Sequence, residues 1–326
     1  MTAMGKKENN SRSTHSHGVL TVTGWVDWTK LGITDAHNHV WIDAVHELPA
    51  GSPSLTEYDA ILSELRDYRD AGGGAILDCQ PGGCGRNAAR LRNLSRMSGV
   101  TIIACTGFHL RRYYPAGFWL WEATPTVCAD HFTREIEKGM VESLGQTNPA
   151  KAGFIKVACE TNLSDTPQGA LEGAALAAVR MGKMIAIHTD KGADVEKIIT
   201  YFAEKGIRLQ QIVLCHIDKR PDIGLHKALA SMGVMLEYDT FYRPKYSPDE
   251  NVYPLIEGMI KAGYRRSLAL ATDMAESAMW QRIGGGAGLV GFIDVVKRRL
   301  EEMGLDADDV RLLMGGNISG RVAGLD

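Results

Sequence analysis

Short apolar runs alternate with longer amphipathic stretches along almost the whole chain. The runs have the length and apolar character of buried strands, and the stretches between them have the 3.6-residue period of helices. Several of these stretches end in a glycine suited to the turn after a helix. Eight runs follow the pattern, at residues 31–37, 74–80, 100–107, 152–159, 184–189, 212–216, 234–239 and 267–273.

Eight strands that alternate with helices predict parallel pairing through right-handed crossovers, and therefore an α/β fold. For a chain of 326 residues the pattern favours a distorted (β/α)8 TIM barrel over an open α/β sheet. No GxGxxG motif follows the first run, which argues against a dinucleotide-binding version of the open sheet. We predict a disordered N-terminal tail over residues 1–18 and a single barrel domain over residues 19–326.

Composition and charge narrow the class of partner. The formal net charge is -3, so the sequence does not indicate a basic surface for nucleic acid or for an anionic membrane. No apolar run approaches the ~18–20 residues that a membrane-spanning helix needs. Six cysteines without a CxxC pair predict reduced, mostly buried thiols in a cytoplasmic protein. A small-molecule substrate is the expected partner.

Ionisable side chains recur near the carboxyl ends of the predicted strands. His37 and His39 are two residues apart at the end of the first run, so on a strand they point to the same side. The other members lie within or at the end of later runs and are Lys156, His188, His216 and Asp273. Because the strand ends of a barrel meet at one face, we expect these side chains to converge on one pocket. Imidazoles and carboxylates are typical metal ligands, so the sequence predicts a metal site there.

Lys156 requires a separate explanation because the residues on both sides of it, in the run 152–159, are apolar. A buried, unpaired ammonium group is costly. An ion pair with a carboxylate, or a side chain that extends to the barrel mouth, would remove that cost. Alternatively, burial near cations lowers the pKa of a lysine, and the neutral amine can add carbon dioxide. The resulting carbamate is an anion with two oxygens that can bridge two metal ions.

With these residues the sequence resembles the amidohydrolase superfamily, and within it the phosphotriesterase-like lactonase branch. The resemblance extends from about Leu20 to Leu325 and rests on the HxH motif, the lysine, the two later histidines and the aspartate. The matching stretches are LGITDAHNHVWID, GGGAILDCQPGGCGRNAARL, TGFHLRRYYP, AGFIKVACE, IAIHTDKG, IVLCHIDKRPD and LALATDM. This resemblance implies a metal-dependent hydrolase on a distorted barrel.

The family's ligand pattern implies a binuclear centre in this chain. His37, His39 and Asp273 correspond to ligands of the more buried ion. His188 and His216 correspond to ligands of the more exposed ion. The lysine of the fourth strand, carbamylated by carbon dioxide, corresponds to the bridge between the two. Zn²⁺ suits this ligand set best, and Mn²⁺ or Co²⁺ would also fit.

The resemblance also implies a mechanism. A hydroxide that bridges the two ions is the implied nucleophile, and the exposed ion polarises the carbonyl or phosphoryl oxygen of the substrate. Asp273 and Lys156 are the implied catalytic residues. The aspartate accepts the proton of the hydroxide and passes it to the leaving group. Neither a serine nor a cysteine nucleophile is needed.

Loops after the predicted strands supply candidate substrate contacts, namely Tyr113, Arg243, Lys245 and Glu276. In sugar-lactone-phosphate hydrolases that this chain resembles, a lysine after the seventh strand holds the substrate phosphate, together with an arginine and a tyrosine after the eighth. This chain keeps a lysine, Lys245, but residues 274–280 read MAESAMW. The resemblance therefore implies a lactone without phosphate, or one with a smaller polar or carboxylate group that Lys245 or Arg243 can reach.

Several other residues receive structural interpretations. Asn38 stands where related proteins usually carry glutamate, and strand geometry predicts that it points away from the metal ions. Asp78 is predicted to accept hydrogen bonds from a neighbouring loop, and Arg86 to hold the barrel mouth together. His109 is interpreted as a loop histidine without a role in the site. Gly284–Gly286 is interpreted as a flexible active-site loop.

The implied function is hydrolysis of a lactone, most simply a sugar-derived one. Hydrolysis of a phosphotriester or phosphoester by the same site is the alternative. A barrel that has lost turnover and serves as a binding protein is the alternative from another class, and it would not need two metal ions per chain. The aromatic insertion after the third strand, HLRRYYPAGFWLWEA, could line the substrate pocket or form a subunit contact, and hence a homodimer.

Overall fold

The computed structural model describes residues 18–49 and 51–325. An antiparallel hairpin of strands β1 (Gly18–Thr21) and β2 (Gly24–Asp27) precedes the main sheet. The main sheet has eight parallel strands in sequential order. These are β3 (Ile33–Asn38), β4 (Gly73–Asp78), β5 (Thr101–Gly107), β6 (Phe154–Ala158), β7 (Ile185–His188), β8 (Ile212–Cys215), β9 (Met235–Tyr238) and β10 (Leu268–Leu270).

Helices follow the strands of the main sheet on its outer side. The first seven are α1 (Tyr58–Asp70), α2 (Ala88–Ser98), α3 (Pro125–Glu137), α4 (Gln168–Met181), α5 (Val195–Glu204), α6 (Ile223–Ser231) and α7 (Val252–Lys261). Shorter ones complete the chain, namely α8 (Gln281–Gly284), α9 (Gly288–Gly291), α10 (Arg298–Glu302), α11 (Ala307–Arg311) and α12 (Asn317–Val322), with π-helical turns at Phe292–Lys297 and Leu312–Gly316.

Single 3₁₀ turns occupy many of the loops. They lie at Trp28–Lys30, Arg111–Tyr113, Trp119–Trp121, Val141–Ser143, Leu163–Asp165, Leu209–Gln211, Ile217–Lys219, Thr240–Tyr242, Pro244–Tyr246, Arg265–Ser267 and Ser277–Met279. Several of these turns directly follow a barrel strand, so they form the rim of the carboxyl face.

The sheet closes into a barrel through the ends of its first and last strands. The backbone N–H of Asp273 donates to the carbonyl of His37 at 2.9 Å. The backbone N–H of Thr272 donates to Asp35 Oδ1 at 3.1 Å. Each of the eight predicted runs overlaps one strand of this barrel, so the prediction of a (β/α)8 barrel is confirmed.

Two hydrophobic cores hold the barrel together, one inside the sheet and one between the sheet and the helices. The inner core includes Cys79, Cys105 and Cys215, and all six cysteines of the chain are buried and free. This agrees with the prediction of reduced, buried thiols. Burial of apolar side chains on both faces explains why the runs are nearly continuous in hydrophobicity rather than alternating.

The hairpin was not predicted, because its strands are only four residues each and the second is largely exposed. Val19 belongs to the core inside the barrel, and the N–H of Val22 donates to the carbonyl of Ile102 at 3.0 Å. The hairpin therefore packs against the sheet. Gly18, assigned to the tail from the sequence, is the first residue of β1, and the rest of the predicted tail, residues 1–17, lies outside the described residues.

Gly107 fixes how closely β5 approaches β6. Its φ is +116°, and a Cβ atom at this position would lie 1.9 Å from the carbonyl oxygen of Lys156. The next residue, Phe108, donates its N–H to that same oxygen at 2.9 Å. Glycine is therefore needed for the strand to end beside Lys156.

None of the helices in the described part of the chain combines the length and the apolar character that crossing a bilayer requires.

Candidate metal centre

Two histidines at the end of β3 and an aspartate after β10 lie together at the carboxyl face of the barrel. The Nε2 atoms of His37 and His39 are 3.7 and 3.5 Å from Asp273 Oδ1. Both imidazoles are buried, and the ligand atoms of all three residues are close enough to hold one metal ion. The structure thus brings together the residues that the family resemblance assigns to the more buried ion.

His216 and His188 extend this group from β8 and β7. The ring of His216 lies 4.7 Å from that of His37 and 4.7 Å from that of His188, measured between centroids. His216 Nδ1 is 3.7 Å from Asp273 Oδ2. His188 is only half-buried, whereas His216 is buried, so His188 lies on the side of the group that faces the opening.

Lys156 lies inside the barrel, in the middle of β6, and has no exposed surface. Its Nζ atom is 3.0 Å from His37 Nε2 and 4.0 Å from Cys215 Sγ. Among residues 18–49 and 51–325, no carboxylate oxygen lies within 4.0 Å of this ammonium group. Neither the ion pair nor the exposed ammonium considered from the sequence is therefore present in the structure.

The electrostatic surroundings of Lys156 differ from the expectation. Burial lowers its pKa, but the neighbouring thiols and the carboxylates of Glu237 and Asp273 raise it, and the net direction is upward. Burial near cations, the environment expected from the sequence, would have lowered the pKa of Lys156. Glu237, whose carboxylate lies in the barrel interior, was not expected there and is one of the groups that raise it.

A buried acceptor contacts the Nδ1 atom of each of the two imidazoles at the end of β3. The Nδ1 atom of His37 is 2.7 Å from Glu237 Oε2, and the Nδ1 atom of His39 is 2.6 Å from Gln80 Oε1. An acceptor at Nδ1 fixes the tautomer and directs the lone pair of Nε2 toward the pocket. The two histidines are therefore oriented with Nε2 free to bind a metal ion.

Asp239 orients the imidazole of His216 in the same way. Its Oδ2 contacts His216 Nδ1, and its Oδ1 lies 3.8 Å from Lys219 Nζ. Neither Asp239 nor Glu237 was predicted as a site residue. Both lie in the seventh run, VMLEYD, and the signal that identified Lys156, an ionisable residue within a buried strand, was present there as well.

Two of the candidate ligands have an unusual backbone conformation. His216 and Asp273 have φ values of +62° and +47°, in the left-handed region that non-glycine residues rarely adopt. Such conformations are costly and are concentrated at functional sites. Here they occur at the ends of β8 and β10, where the chain turns the two side chains toward the cluster.

Burial determines the charges of the cluster. It lowers the pKa values of His37, His188 and His216, so these imidazoles are neutral, as metal binding requires. Burial alone would raise the pKa of Asp273, but Arg243 and His216 hold it well below its ordinary value. The cluster therefore combines neutral nitrogen ligands with an ionised carboxylate.

A cavity of about 260 Å³ opens over the cluster, and its walls contain the four candidate substrate contacts, Tyr113, Arg243, Lys245 and Glu276. The Tyr113 ring packs edge-on against His109, with 4.7 Å between centroids. Lys245 is exposed, and its Nζ lies 5.2 Å from the centre of the Tyr246 ring. Tyr113, Lys245 and Glu276 are available to a ligand in the cavity.

Arg243 has other partners. Its Nη2 donates to Asp273 Oδ2 at 2.8 Å and to the Asp273 carbonyl at 2.6 Å. Its Nη1 donates to the carbonyls of Asp239 and Thr272 at 3.1 and 3.2 Å. Arg243 lines the cavity, as predicted, but its guanidinium group already serves Asp273 and three carbonyls, so the structure gives it a positioning role.

His109 lines the same cavity, which the sequence interpretation missed. Its Nδ1 accepts the N–H of Leu110 at 2.7 Å, and its ring is 5.5 Å from that of His188. His109 lies two residues after the end of β5. The expectation that side chains at strand ends meet at one face therefore applied to His109 as well. Because burial lowers its pKa, it presents a neutral imidazole to the cavity.

The structural interpretations of Asn38 and Asp78 agree with the contacts. Asn38 Nδ2 donates to Asp35 Oδ2 and to Thr272 Oγ1, each at 2.8 Å, so the side chain points away from the cluster. Asp78 accepts the N–H groups of Val40 and Gln80 at 2.7 and 3.2 Å. Both residues support the loops that carry the site.

A larger cavity of about 580 Å³ lies at the opposite end of the barrel, next to Gly32 and Gly72, which precede β3 and β4. Its walls contain no histidine, cysteine or aspartate in the described part of the chain. The chemistry of the molecule is therefore concentrated at the carboxyl face, where active sites of such barrels lie.

Comparison with known proteins identifies the family of this chain. The sequence model of the phosphotriesterase family matches residues 17–318. The chain belongs to the phosphotriesterase family. A phospho-furanose lactonase from Mycoplasmopsis synoviae is 28% identical over 281 residues, which cover 80% of this chain and 77% of that protein.

Solved structures of two proteins share the fold of this phosphotriesterase-family chain. An amidohydrolase from Mycoplasma synoviae superposes with a TM-score of 0.86 at 26% identity, over 95% of this chain and 93% of the other. A lactonase from Listeria monocytogenes superposes with a TM-score of 0.85 at 21% identity, over 94% of this chain and 98% of the other. This second likeness supports the fold and nothing more. The family resemblance recognised in the sequence is confirmed.

Proposed function

We propose that this member of the phosphotriesterase family is a binuclear metal-dependent hydrolase that opens a lactone ring, most simply that of a sugar-derived lactone. The observation that carries the proposal is the position of Lys156. Its fully buried Nζ has no carboxylate within 4.0 Å in the described chain and lies 3.0 Å from the Nε2 atom of His37, which is itself a candidate ligand.

The donor set fits two divalent ions. His37, His39 and Asp273 would hold the more buried ion, since their ligand atoms already lie together. His188 and His216 would hold the more exposed ion. Zn²⁺ suits imidazole and carboxylate ligands, and Mn²⁺ or Co²⁺ are alternatives.

A carbamate on Lys156 would complete the centre. The ammonium group first loses one proton to give the neutral amine. The Nζ atom then bonds to the carbon of carbon dioxide and releases a second proton as the carbamate forms. The product replaces a buried cation with an anion of two oxygens, next to His37 Nε2. The two bound metal ions would then be the partners of the anionic carbamate. The cost of the buried, unpaired ammonium group is thereby removed.

Bound ions would supply an activated water as nucleophile and would polarise the lactone carbonyl. The protein's own groups provide the proton transfer and the orientation. Asp273 takes the proton that the nucleophile loses and passes it to the oxygen of the opened ring. Arg243, bonded to Asp273 Oδ2 at 2.8 Å, keeps that carboxylate in place and leaves Oδ1 directed at His37 and His39.

The substrate that we propose carries no phosphate, or carries a smaller polar or carboxylate group. The relative from Mycoplasmopsis synoviae is named a phospho-furanose lactonase, but residues 274–280 of this chain contain neither arginine nor tyrosine. Arg243 is occupied by Asp273, and Glu276 adds a carboxylate to the cavity wall. Lys245 and Arg112 remain as exposed cations in the cavity wall.

A substrate screen tests the proposal. The protein would be loaded with Zn²⁺, Mn²⁺ or Co²⁺ and offered lactones, phosphomonoesters and phosphotriesters, with ring opening followed by proton release. We expect lactones to be hydrolysed fastest and Lys156→Ala to be inactive with every compound. Faster turnover of a phosphotriester would favour the alternative activity of the same site. Binding without turnover in fully loaded protein would point to a binding protein.

A further inference from the structure

A second cavity of about 190 Å³ adjoins the cavity over the metal centre, and we refer to it as the side chamber. The two cavities share four wall residues, Arg112, His188, Lys219 and Tyr246. His188, a candidate metal ligand, stands in the common wall. The side chamber is therefore the neighbouring space for a part of the ligand that lies beyond the metal centre.

Two carboxylates form one part of the chamber wall, Glu160 after β6 and Asp190 after β7. Each is held through one oxygen. The hydroxyl of Thr161 donates to Asp190 Oδ2 at 2.5 Å, and the N–H of Arg111 donates to Glu160 Oε1 at 3.3 Å. Within the described residues neither carboxylate has a cationic partner within 4.0 Å. Each therefore keeps acceptor capacity for a ligand.

Three cationic side chains also line the chamber, Arg112, Lys191 and Lys219. Lys219 Nζ lies 5.8 Å from the centre of the Tyr246 ring and 3.8 Å from Asp239 Oδ1, with the side chain largely enclosed. The guanidinium of Arg112 lies 5.0 Å from the centre of the Tyr113 ring and is exposed. These side chains supply donors, so acceptors and donors line the same small space.

Such a wall selects among ligand groups by their hydrogen-bonding capacity. An apolar group would leave the charged side chains without partners, at a considerable cost. A phosphate or carboxylate would meet Glu160 and Asp190 at close range. A hydroxyl group both donates and accepts, so adjacent hydroxyls can pair with the carboxylates and with the cations together.

We infer that the side chamber is a binding site for a short hydroxylated carbon chain attached to the lactone ring of the substrate. This inference rests on the proposed function and narrows its substrate to lactones with a hydroxylated side chain. The ring would occupy the cavity over the metal centre, and the side chain would pass His188 into the chamber. Glu160 and Asp190 would then determine specificity without touching the reacting atoms.

The test compares two lactones of the same ring size, one plain and one with a dihydroxyethyl side chain. The variants are Glu160→Ala, Asp190→Ala and the conservative Thr161→Val, which removes the hydroxyl that holds Asp190. Asp165→Ala is the matched control, because Asp165 is an exposed residue of the same loop as Glu160 and lies outside the chamber. The readouts are kcat/KM for both lactones, metal content and melting temperature.

We expect the wild-type protein to prefer the hydroxylated lactone. Each alanine variant should lose at least about tenfold in kcat/KM for that lactone, the usual worth of a charge-assisted hydrogen bond. The activity of each alanine variant toward the plain lactone and its metal content should match those of the wild type. The control Asp165→Ala should match the wild type in every readout. Thr161→Val should lose less, in the same direction.

Two results would overturn the inference in different ways. If both lactones are hydrolysed and their kcat/KM ratio is the same in wild type, Glu160→Ala and Asp190→Ala, the chamber does not bind the side chain although the proposed function stands. If the metal-loaded wild-type protein hydrolyses neither lactone, the proposed function is wrong and the inference fails with it. Should an alanine variant not fold, the same comparison with Thr161→Val decides.

Discussion

Arg243 donates two hydrogen bonds to Asp273, one to the side-chain Oδ2 at 2.8 Å and one to the main-chain carbonyl at 2.6 Å. The same guanidinium group donates to the carbonyls of Asp239 and Thr272. It therefore joins the ends of β9 and β10 at the point where Asp273 adopts its left-handed conformation. Arg243 lines the cavity, as expected for a substrate contact, and it also holds a candidate metal ligand in place.

Replacement of Arg243 distinguishes these two roles. Lysine keeps the charge but not the planar fork, so Arg243→Lys should leave Asp273 loosely held. We expect kcat to fall by about 10–100-fold, the scale of a small misplacement of a catalytic group, while KM changes little. Steady-state kinetics and metal analysis measure the effect. A large rise in KM at unchanged kcat would show that Arg243 binds substrate.

Asp273 is predicted to act both as ligand and as proton carrier. In Asp273→Asn the amide oxygen can still coordinate, so we expect much of the metal to be retained. Turnover should fall by about 10²–10⁴-fold, the usual contribution of general acid–base catalysis. Parallel measurement of metal content and kcat separates the two roles. A kcat close to that of the wild type would remove Asp273 from the mechanism.

The strands could be predicted because burial on both faces makes them continuous apolar runs. The positions of His37, His39, His188, His216 and Asp273 followed from one rule, that strand ends of a barrel meet at one face. What could not be read from the sequence was which side chains meet across the interior of the barrel. His37 and Glu237 are 200 positions apart, and only the barrel places their side chains 2.7 Å from each other.

The conformation of the loops also could not be predicted from the sequence. Gly284–Gly286 was interpreted as a flexible active-site loop, but none of the three residues lines the cavity over the cluster, and a Cβ on Gly286 would lie 2.4 Å from the carbonyl oxygen of Met279. The buried carboxylate of Glu64 accepts the N–H groups of Gln281 and Leu289, at 3.1 and 3.0 Å. A glutamate on α1 thus anchors the loop, and no local pattern indicates that contact.

The proposed absence of a substrate phosphate can be tested with matched lactones, with and without the phosphate, in wild type and in Lys245→Ala. Loss of one charge-assisted bond, worth roughly 1.5–3 kcal/mol, should cost the phosphorylated compound at least about tenfold in affinity. We expect the wild type to prefer the unphosphorylated lactone, and Lys245→Ala to raise KM for lactones that carry a carboxylate. A strong wild-type preference for the phosphorylated member would contradict this substrate assignment.

The buried ion pairs of Arg86 are predicted to stabilise the fold. Arg86 is buried, donates to the Cys105 carbonyl at 2.8 Å and pairs with Glu135 and Glu142. Removing one partner of a buried pair leaves an uncompensated charge, so Arg86→Leu should destabilise the fold by about 3–5 kcal/mol. The double variant Arg86→Leu/Glu135→Leu should recover part of that loss. Urea unfolding measures both, and equal stability of Arg86→Leu and wild type would show that the pair contributes nothing.

The same pair predicts a pH dependence. Burial raises the pKa of Glu135, but Arg86 outweighs burial and places it below the ordinary value of 4.5. A carboxyl with a lowered pKa in the folded state stabilises above its unfolded pKa. The difference in stability between wild type and Arg86→Leu should therefore be full above about pH 4.5 and shrink as the pH falls through the folded-state pKa.

Lys156→Ala removes the group on which the metal centre depends. We expect this variant to lose metal and turnover together, because alanine cannot form a carbamate. Short-chain carboxylic acids added with bicarbonate should partly restore both, since they supply an anion with two oxygens to the same space. Wild-type metal content and turnover in Lys156→Ala would show that the lysine only fills the barrel.

Metal titration of the metal-free protein tests the central claim most directly. Zn²⁺, Mn²⁺ or Co²⁺ would be added in steps while lactone opening is followed by proton release. The account predicts that activity rises until two ions are bound per chain and is absent without metal. Full activity in metal-free protein, or a plateau at one ion per chain, would contradict it.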